Sequence, residues 1–119
     1  MIRSLRLPKS CLLRKAAEFK EVYRRGQTFR GSRIKLFVLF REPEGTTRAG
    51  FSTVRRVRKA VTRNRARRLM REVFRLHREE LLPGLDLVLL WTGTVEGWGY
   101  RQAEEEILGL WGRAEVMRR

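Results

Sequence analysis

Arginine dominates the chemistry this chain can offer. Between Arg55 and Arg78 the sequence reads RRVRKAVTRNRARRLMREVFRLHR, with eleven Lys or Arg against one Glu, a net +10 of the chain's formal +15. A guanidinium is planar, permanently charged and able to grip a phosphate through two parallel hydrogen bonds. Each phosphate so neutralised also releases condensed counterions. The chemistry on offer is recognition of a polyanion, and a pI near 11.6 makes nucleic acid the first partner to consider. A merely solvated helix face would balance its charges with carboxylates at i, i+4 spacing. Here only Glu72 and Glu79 stand near the flank of the basic run.

Bond-breaking chemistry has far less to work with. A metal-dependent nuclease needs clustered carboxylates. The single Asp, Asp86, opens an apolar run, and Glu104-Glu105-Glu106 reads as the solvated side of a helix. A metal-independent nuclease needs an acid and a base. His77 is the only histidine, and its place in an apolar stripe suits a core or boundary residue. No glycine-rich phosphate loop or nucleophile–base pair is present. Cys11 is alone, which excludes a disulfide framework and a cysteine-based zinc site. No apolar run approaches the roughly 20 residues of a membrane span, and the N-terminus lacks a signal-type apolar region. A cytoplasmic protein is expected.

The basic residues need elements to hold them. Ala66, Leu69, Met70, Val73, Phe74 and His77, continuing to Leu81, recur at helical spacing. At about 100° per residue, Asn64, Arg67, Arg68, Arg71, Arg75 and Arg78 fall on the opposite side. The pattern predicts a helix over roughly Lys59 to Glu80, its back in a core and an Arg ridge facing out. Before it, Met1 to Leu12 reads as a basic N-terminal extension that orders against a partner, leaving residues 13–119 as a single domain. Leu13 to Arg25 predicts a helix with Ala16, Phe19, Val22 and Tyr23 on one side, stopped by Gly26. Gln27 to Arg30 predicts a short strand. Ile34 to Arg41 is apolar on both faces and predicts a central strand. Glu42 to Thr47 predicts a hairpin connection to a returning strand over Ala49 to Val54. After Pro83-Gly84, Asp86 to Trp91 predicts a buried strand. Tyr100 to Met117 predicts a last helix with Ala103, Ile107, Leu110, Trp111, Ala114 and Met117 as its buried stripe. The order α-β-β-β-α-β-α makes an α+β domain with a central four-stranded sheet. If the strands flanking the long helix are parallel, that helix is a crossover.

The run Arg55-Arg56, a short turn, Ala60-Val61, then Arg63-Asn64-Arg65, Arg67-Arg68 and Arg71-Glu72, resembles the signature of the protein subunit of bacterial ribonuclease P. LRKAAEFKEVYRRG, from Leu13 to Gly26, is similar to that family's first helix. The likeness covers about Leu13 to Arg113. This chain departs from it at Arg58, where the family usually has Gly, and at Thr92, where it commonly has Arg.

The resemblance implies a left-handed βαβ crossover that presents the basic motif to RNA. It implies that the RNA subunit is the catalyst and removes the 5′ leader from precursor tRNA. The partners would be the catalytic RNA of ribonuclease P and precursor tRNA. Divalent metal, Mg2+, would be held mainly by RNA in the holoenzyme. It implies that Arg55, Arg56, Arg63, Asn64, Arg65, Arg67, Arg68 and Arg71 dock on the catalytic RNA, and that Phe19, Tyr23 and Phe37 line a cleft for the leader. Stacking suits that task because every base has a π-face. Read from the residues alone, Phe19 and Tyr23 fit core anchors as well. The Arg ridge alone fits a structural RNA-binding protein, of ribosomal or chaperone type, equally well. A DNA-reading helix would need base-specific side chains in place of near-uniform Arg.

Overall fold

A computed structural model describes Leu7 to Arg119. The elements are α1 (Ala16–Arg25), β1 (Gln27–Arg30), β2 (Ile34–Phe40), β3 (Arg48–Thr53), α2 (Ala60–His77), β4 (Leu85–Trp91) and α3 (Tyr100–Arg113), with one-turn 3-10 helices at Lys9–Cys11 and Arg78–Glu80. Three helices and one mixed four-stranded sheet make a single α+β domain in the predicted element order.

The sheet runs β1-β2-β4-β3. β2 is antiparallel to both β1 and β4, whereas β3 and β4 are parallel and joined by α2. This corrects the expected hairpin at 42–47, because β2 and β3 are not neighbours. Sequence-adjacent strands usually pair, but here β4 lies between them. The reason lies in β4 itself. Its run LDLVLLW is the most fully buried strand, and burying both of its faces requires a central place. The 42–47 link instead passes the end of β4, where Gly84 donates to the Gly45 carbonyl at 2.6 Å and accepts from the Arg41 and Glu42 amides at 2.8 and 3.2 Å.

One sheet face carries the main core. Ile34, Leu36 and Val38 of β2 and Leu87, Leu89 and Trp91 of β4 pack there against Ala66, Met70, Val73 and Phe74 of α2 and Ala103, Ile107, Leu110 and Trp111 of α3. Leu69, predicted on the buried stripe, lies at its edge and is only half-buried. Part of the expected N-terminal extension, from Leu7 to Leu12, is built into the domain. Its first residues, 1–6, lie outside the described residues. Leu7 and Cys11 join the core, and Leu12 bridges Ala49 on β3.

α3 stops four residues before Met117. Glu115 takes a left-handed backbone conformation (φ 56°), and the tail turns back to pair Met117 with Leu81. Met117 therefore packs from an extended tail, not from the helix.

His77 clamps α2 to α3. Its ring nitrogens face the carboxylates of Glu80 and Glu104, the latter at 2.7 Å, and Glu104 also accepts from the Tyr100 hydroxyl at 2.9 Å. Burial works against protonation of His77, but hydrogen bonds to Glu104 and Glu80 outweigh it and hold its pKa above the ordinary value. A folded-state pKa that is raised gives stability that is fully present below about pH 6.5 and is lost as pH rises through the folded value. The melting temperature of the wild type should thus fall relative to His77→Gln between pH 6 and pH 8, to about the extent of the lost imidazolium–carboxylate pairing. Parallel pH profiles for the two proteins would remove His77 from the clamp.

Candidate nucleic-acid interface

α2 exposes Asn64, Arg67, Arg68 and Arg71 on the side opposite its core stripe, and these side chains form no hydrogen bond or ion pair among the described residues. The ridge is shorter than its sequence pattern. Arg75 is held by Glu72 at 3.0 Å, and Arg78 donates to the Cys11 thiol sulfur at 3.3 Å. Arg63 turns back to the carbonyls of Val57 and Arg58, so it builds the turn that precedes the helix. Arg65 leaves the ridge altogether and donates to the Trp98 carbonyl at 2.9 Å. The predicted eight-residue set is thereby divided. Asn64, Arg67, Arg68 and Arg71 face α1, whereas Arg56 and Arg65 face the loop after β4. Arg55 is exposed. The first turn of α2 has no acidic residue and no capping side chain, so its orphan amides and the positive end of its dipole add to the attraction for anions.

The second sheet face positions the aromatics. Asp86 is buried, and it accepts two hydrogen bonds from Arg48 at 2.9 and 2.7 Å and one from Arg41 at 3.2 Å. Arg48 continues to Glu18 at 3.0 Å. Glu18 in turn accepts the amides of Lys15 and Arg14 at the start of α1, which together with Arg48 hold its carboxyl below the usual range. This chain of charges pins α1 across β2, β4 and β3. Arg41, at the end of the strand that carries Phe37, is held by Asp86, Glu42 and the Thr46 carbonyl.

On that brace the three predicted rings form a row. Phe19 lies over Gly50, where a Cβ would come within 2.4 Å of the ring. Phe19 and Tyr23 have centroids 6.5 Å apart, and Tyr23 meets Phe37 edge-on at 4.8 Å. The Tyr23 hydroxyl lies near Ser52 on β3. Tyr23 is 38% exposed, and Phe19 and Phe37 are half-buried. Beyond α1 the same face continues uncovered through Thr28 and Arg30 of β1, Lys35 of β2 and Leu90 of β4, which the strand register sets side by side. Leu90 was hidden from sequence reasoning inside an apolar run that reads as wholly buried. Ser52 and Arg30 became visible only through the register.

Phe19 also belongs to a second feature. With Phe51 it floors a groove of about 600 Å³ between α1 and α2, whose walls carry Arg14, Asn64, Arg67, Arg68 and Arg71. The aromatic row and the Arg ridge therefore meet at one ring. Stacking surface beside uncommitted guanidinium groups is the combination that holds an unpaired nucleic-acid strand.

Among the described residues, no three or more His, Cys, Asp or Glu side chains gather as ligands for an ion. Asp86 is saturated by two guanidinium groups and His77 by two carboxylates, so neither is free to coordinate. Both side chains are therefore committed to structural contacts. No helix among the described residues is long and apolar enough to cross a membrane.

The ribonuclease P family profile matches residues 7–115. The ribonuclease P protein component of Natranaerobius thermophilus is 35% identical over 107 residues, covering 90% of this chain and 92% of that protein. That of Pelotomaculum thermopropionicum is 38% identical over 107 residues, covering 90% and 95%. Among solved structures, the RNase P protein of Staphylococcus aureus matches with a TM-score of 0.81 at 21% identity, over 92% of this chain and 100% of that one. The RNase P protein of Thermotoga maritima matches with a TM-score of 0.75 at 23% identity, over 85% and 94%. At such identities the structural likeness concerns the fold. With a profile spanning nearly all of its length and relatives at 35% and 38% identity, the chain belongs to the ribonuclease P protein family.

Proposed function

We propose that this chain is the protein component of ribonuclease P and has two RNA-binding tasks. The ridge formed by Asn64, Arg67, Arg68 and Arg71, extended by Arg55, Arg56 and Arg65, docks on the catalytic RNA, with Arg63 shaping the turn that presents them. The row Phe19, Tyr23 and Phe37 receives the 5′ leader of precursor tRNA, with Lys35 and Arg30 available to its phosphates. Hydrolysis and Mg2+ belong to the RNA in this reading, since Asp86 and His77 are occupied by structural partners. Such a ribonucleoprotein works in the cytoplasm.

The observation that carries the reading is the uncovered half of a sheet face. A sealed core would exclude Lys35 and Arg30, whereas a groove for single-stranded RNA uses rings at its floor and cations at its rim.

The test compares three ligands. Tyr23→Ala and Phe37→Ala should each weaken binding of precursor tRNA bearing a leader by roughly 1–3 kcal/mol. Affinity for mature tRNA, which has no leader, and for the catalytic RNA should hardly move. Equal losses for precursor and mature tRNA would return these rings to a purely structural role.

A further inference from the structure

A second groove lies on the other side of α2, away from the aromatic row. It opens between the first turn of that helix and the loop after β4, and it encloses about 810 Å³. That size is within the roughly 300–1,000 Å³ range of small-ligand clefts. Its floor is apolar. Val57 and Val95 are nearly buried, whereas Val61 is 80% exposed on the first turn of α2. Its rim holds Arg56, Arg58 and Lys59, whose side chains make no hydrogen bond or ion pair among the described residues, and Glu96 is the one carboxylate lining it.

Both walls are braced from within. Arg33 donates to the carbonyls of Thr94 and Glu96 at 3.2 and 3.0 Å and lies 4.9 Å over the Trp98 ring. The Trp91 indole donates to the Thr94 carbonyl at 3.2 Å, and Arg65 ties the loop to α2 through the Trp98 carbonyl. On the opposite wall, Arg63 holds the carbonyls of Val57 and Arg58. The loop is thus a built wall, and the recess exists before any ligand arrives, which lowers the ordering cost of binding.

An apolar floor under a cationic rim fits a nucleotide, with its base inward and its phosphates outward. A duplex keeps its bases stacked and cannot offer one to a recessed floor, whereas loops and bulges can. We infer that this groove takes an unpaired, extruded nucleotide of the RNA partner, its base against Val57, Val61 and Val95 and its flanking phosphates on Arg56, Arg58 and Lys59. The inference rests on the RNA-binding reading above and adds a nucleotide site that shares Arg56 with the docking surface and lies apart from the aromatic row.

The full-length protein should be titrated with a short RNA hairpin carrying one bulged nucleotide and with its fully paired counterpart. The wild type should prefer the bulged hairpin by about tenfold, the order expected from burying one base face against aliphatic side chains. Val61→Asp should abolish the preference without changing the melting temperature, because the side chain is exposed, and Val61→Leu should retain it. Methyl resonances of Val57, Val61 and Val95 should shift with the bulged hairpin and not with the paired one. Equal affinity for both hairpins, or a preference that survives Val61→Asp but is lost in Tyr23→Ala, would overturn the assignment. Failure to bind either hairpin would overturn the RNA-binding reading itself, so the two failures are distinguishable.

Discussion

Replacing Arg67, Arg68 and Arg71 together with Ala should lower affinity for the catalytic RNA by about 100- to 500-fold at 0.1 M salt. Each phosphate contact contributes roughly 0.7–0.9 to the slope of log K against log salt. Extrapolated to 1 M, where screening removes most of the attraction, each contact is worth the same number of log units at 0.1 M. Three lost contacts remove about 2–2.7 log units, or roughly 3–4 kcal/mol, and flatten the slope by two to three. Folding should be spared, because the three side chains are exposed and pair with nothing among the described residues. Arg65 is left out because it binds the Trp98 carbonyl, and changing it would loosen the loop after β4 as well. Salt titrations with unchanged slope and midpoint would reduce the ridge to a solvated face.

Gly84→Ala should destabilise the domain by about 4 kcal/mol or more, against the 5–15 kcal/mol that single domains typically possess. Gly84 has φ of +78°, and a Cβ there would stand 1.4 Å from the Glu42 carbonyl oxygen, which is backbone and cannot rotate away. The left-handed conformation alone costs an L-residue roughly 1–2 kcal/mol. Moving the 42–47 link aside would also sacrifice up to three backbone hydrogen bonds at Gly84, each worth a net of about 0.5–1.5 kcal/mol. Gly97 provides the internal comparison. Its φ is +77° but nothing lies within 4 Å of its Cβ position, so Gly97→Ala should show the conformational cost alone. Urea midpoints that move equally for the two variants would mean that the link yields freely.

Much of this architecture was readable because local signals were strong. The apolar stripe of α2 is carried by Ala66, Met70, Val73 and Phe74, whose 3.6-residue spacing has no competing period. The short strand expected over Gln27 to Arg30 is β1. The misreadings arose where a distant partner decided the outcome. Thr46 and Gly45 look like turn residues, and they do turn the chain, but the strand beside β2 comes from much later in the sequence. Arg63, Arg65 and Arg41 carry the same charge as the ridge residues. Only the positions of the Val57, Trp98 and Asp86 acceptors distinguish them from the free cations. Leu69 and Leu90 failed as core residues because one sits at the edge of its stripe and the other where α1 no longer covers the sheet.

The insertion of β4 between β2 and β3 also sets an order in time. Apart from the bridge at Leu12, β3 pairs only with β4 in the sheet. A chain emerging from synthesis N-terminus first would complete α2 before the strand that anchors its buried side exists. Pairings between remote segments also form slowly, since loop closure must precede any gain from contact. For that interval the nascent protein carries its whole basic segment with no groove, no braced loop and no seated aromatic row. The shaping of this polycation therefore waits on Leu85 to Trp91, the strand that joins β2 to β3.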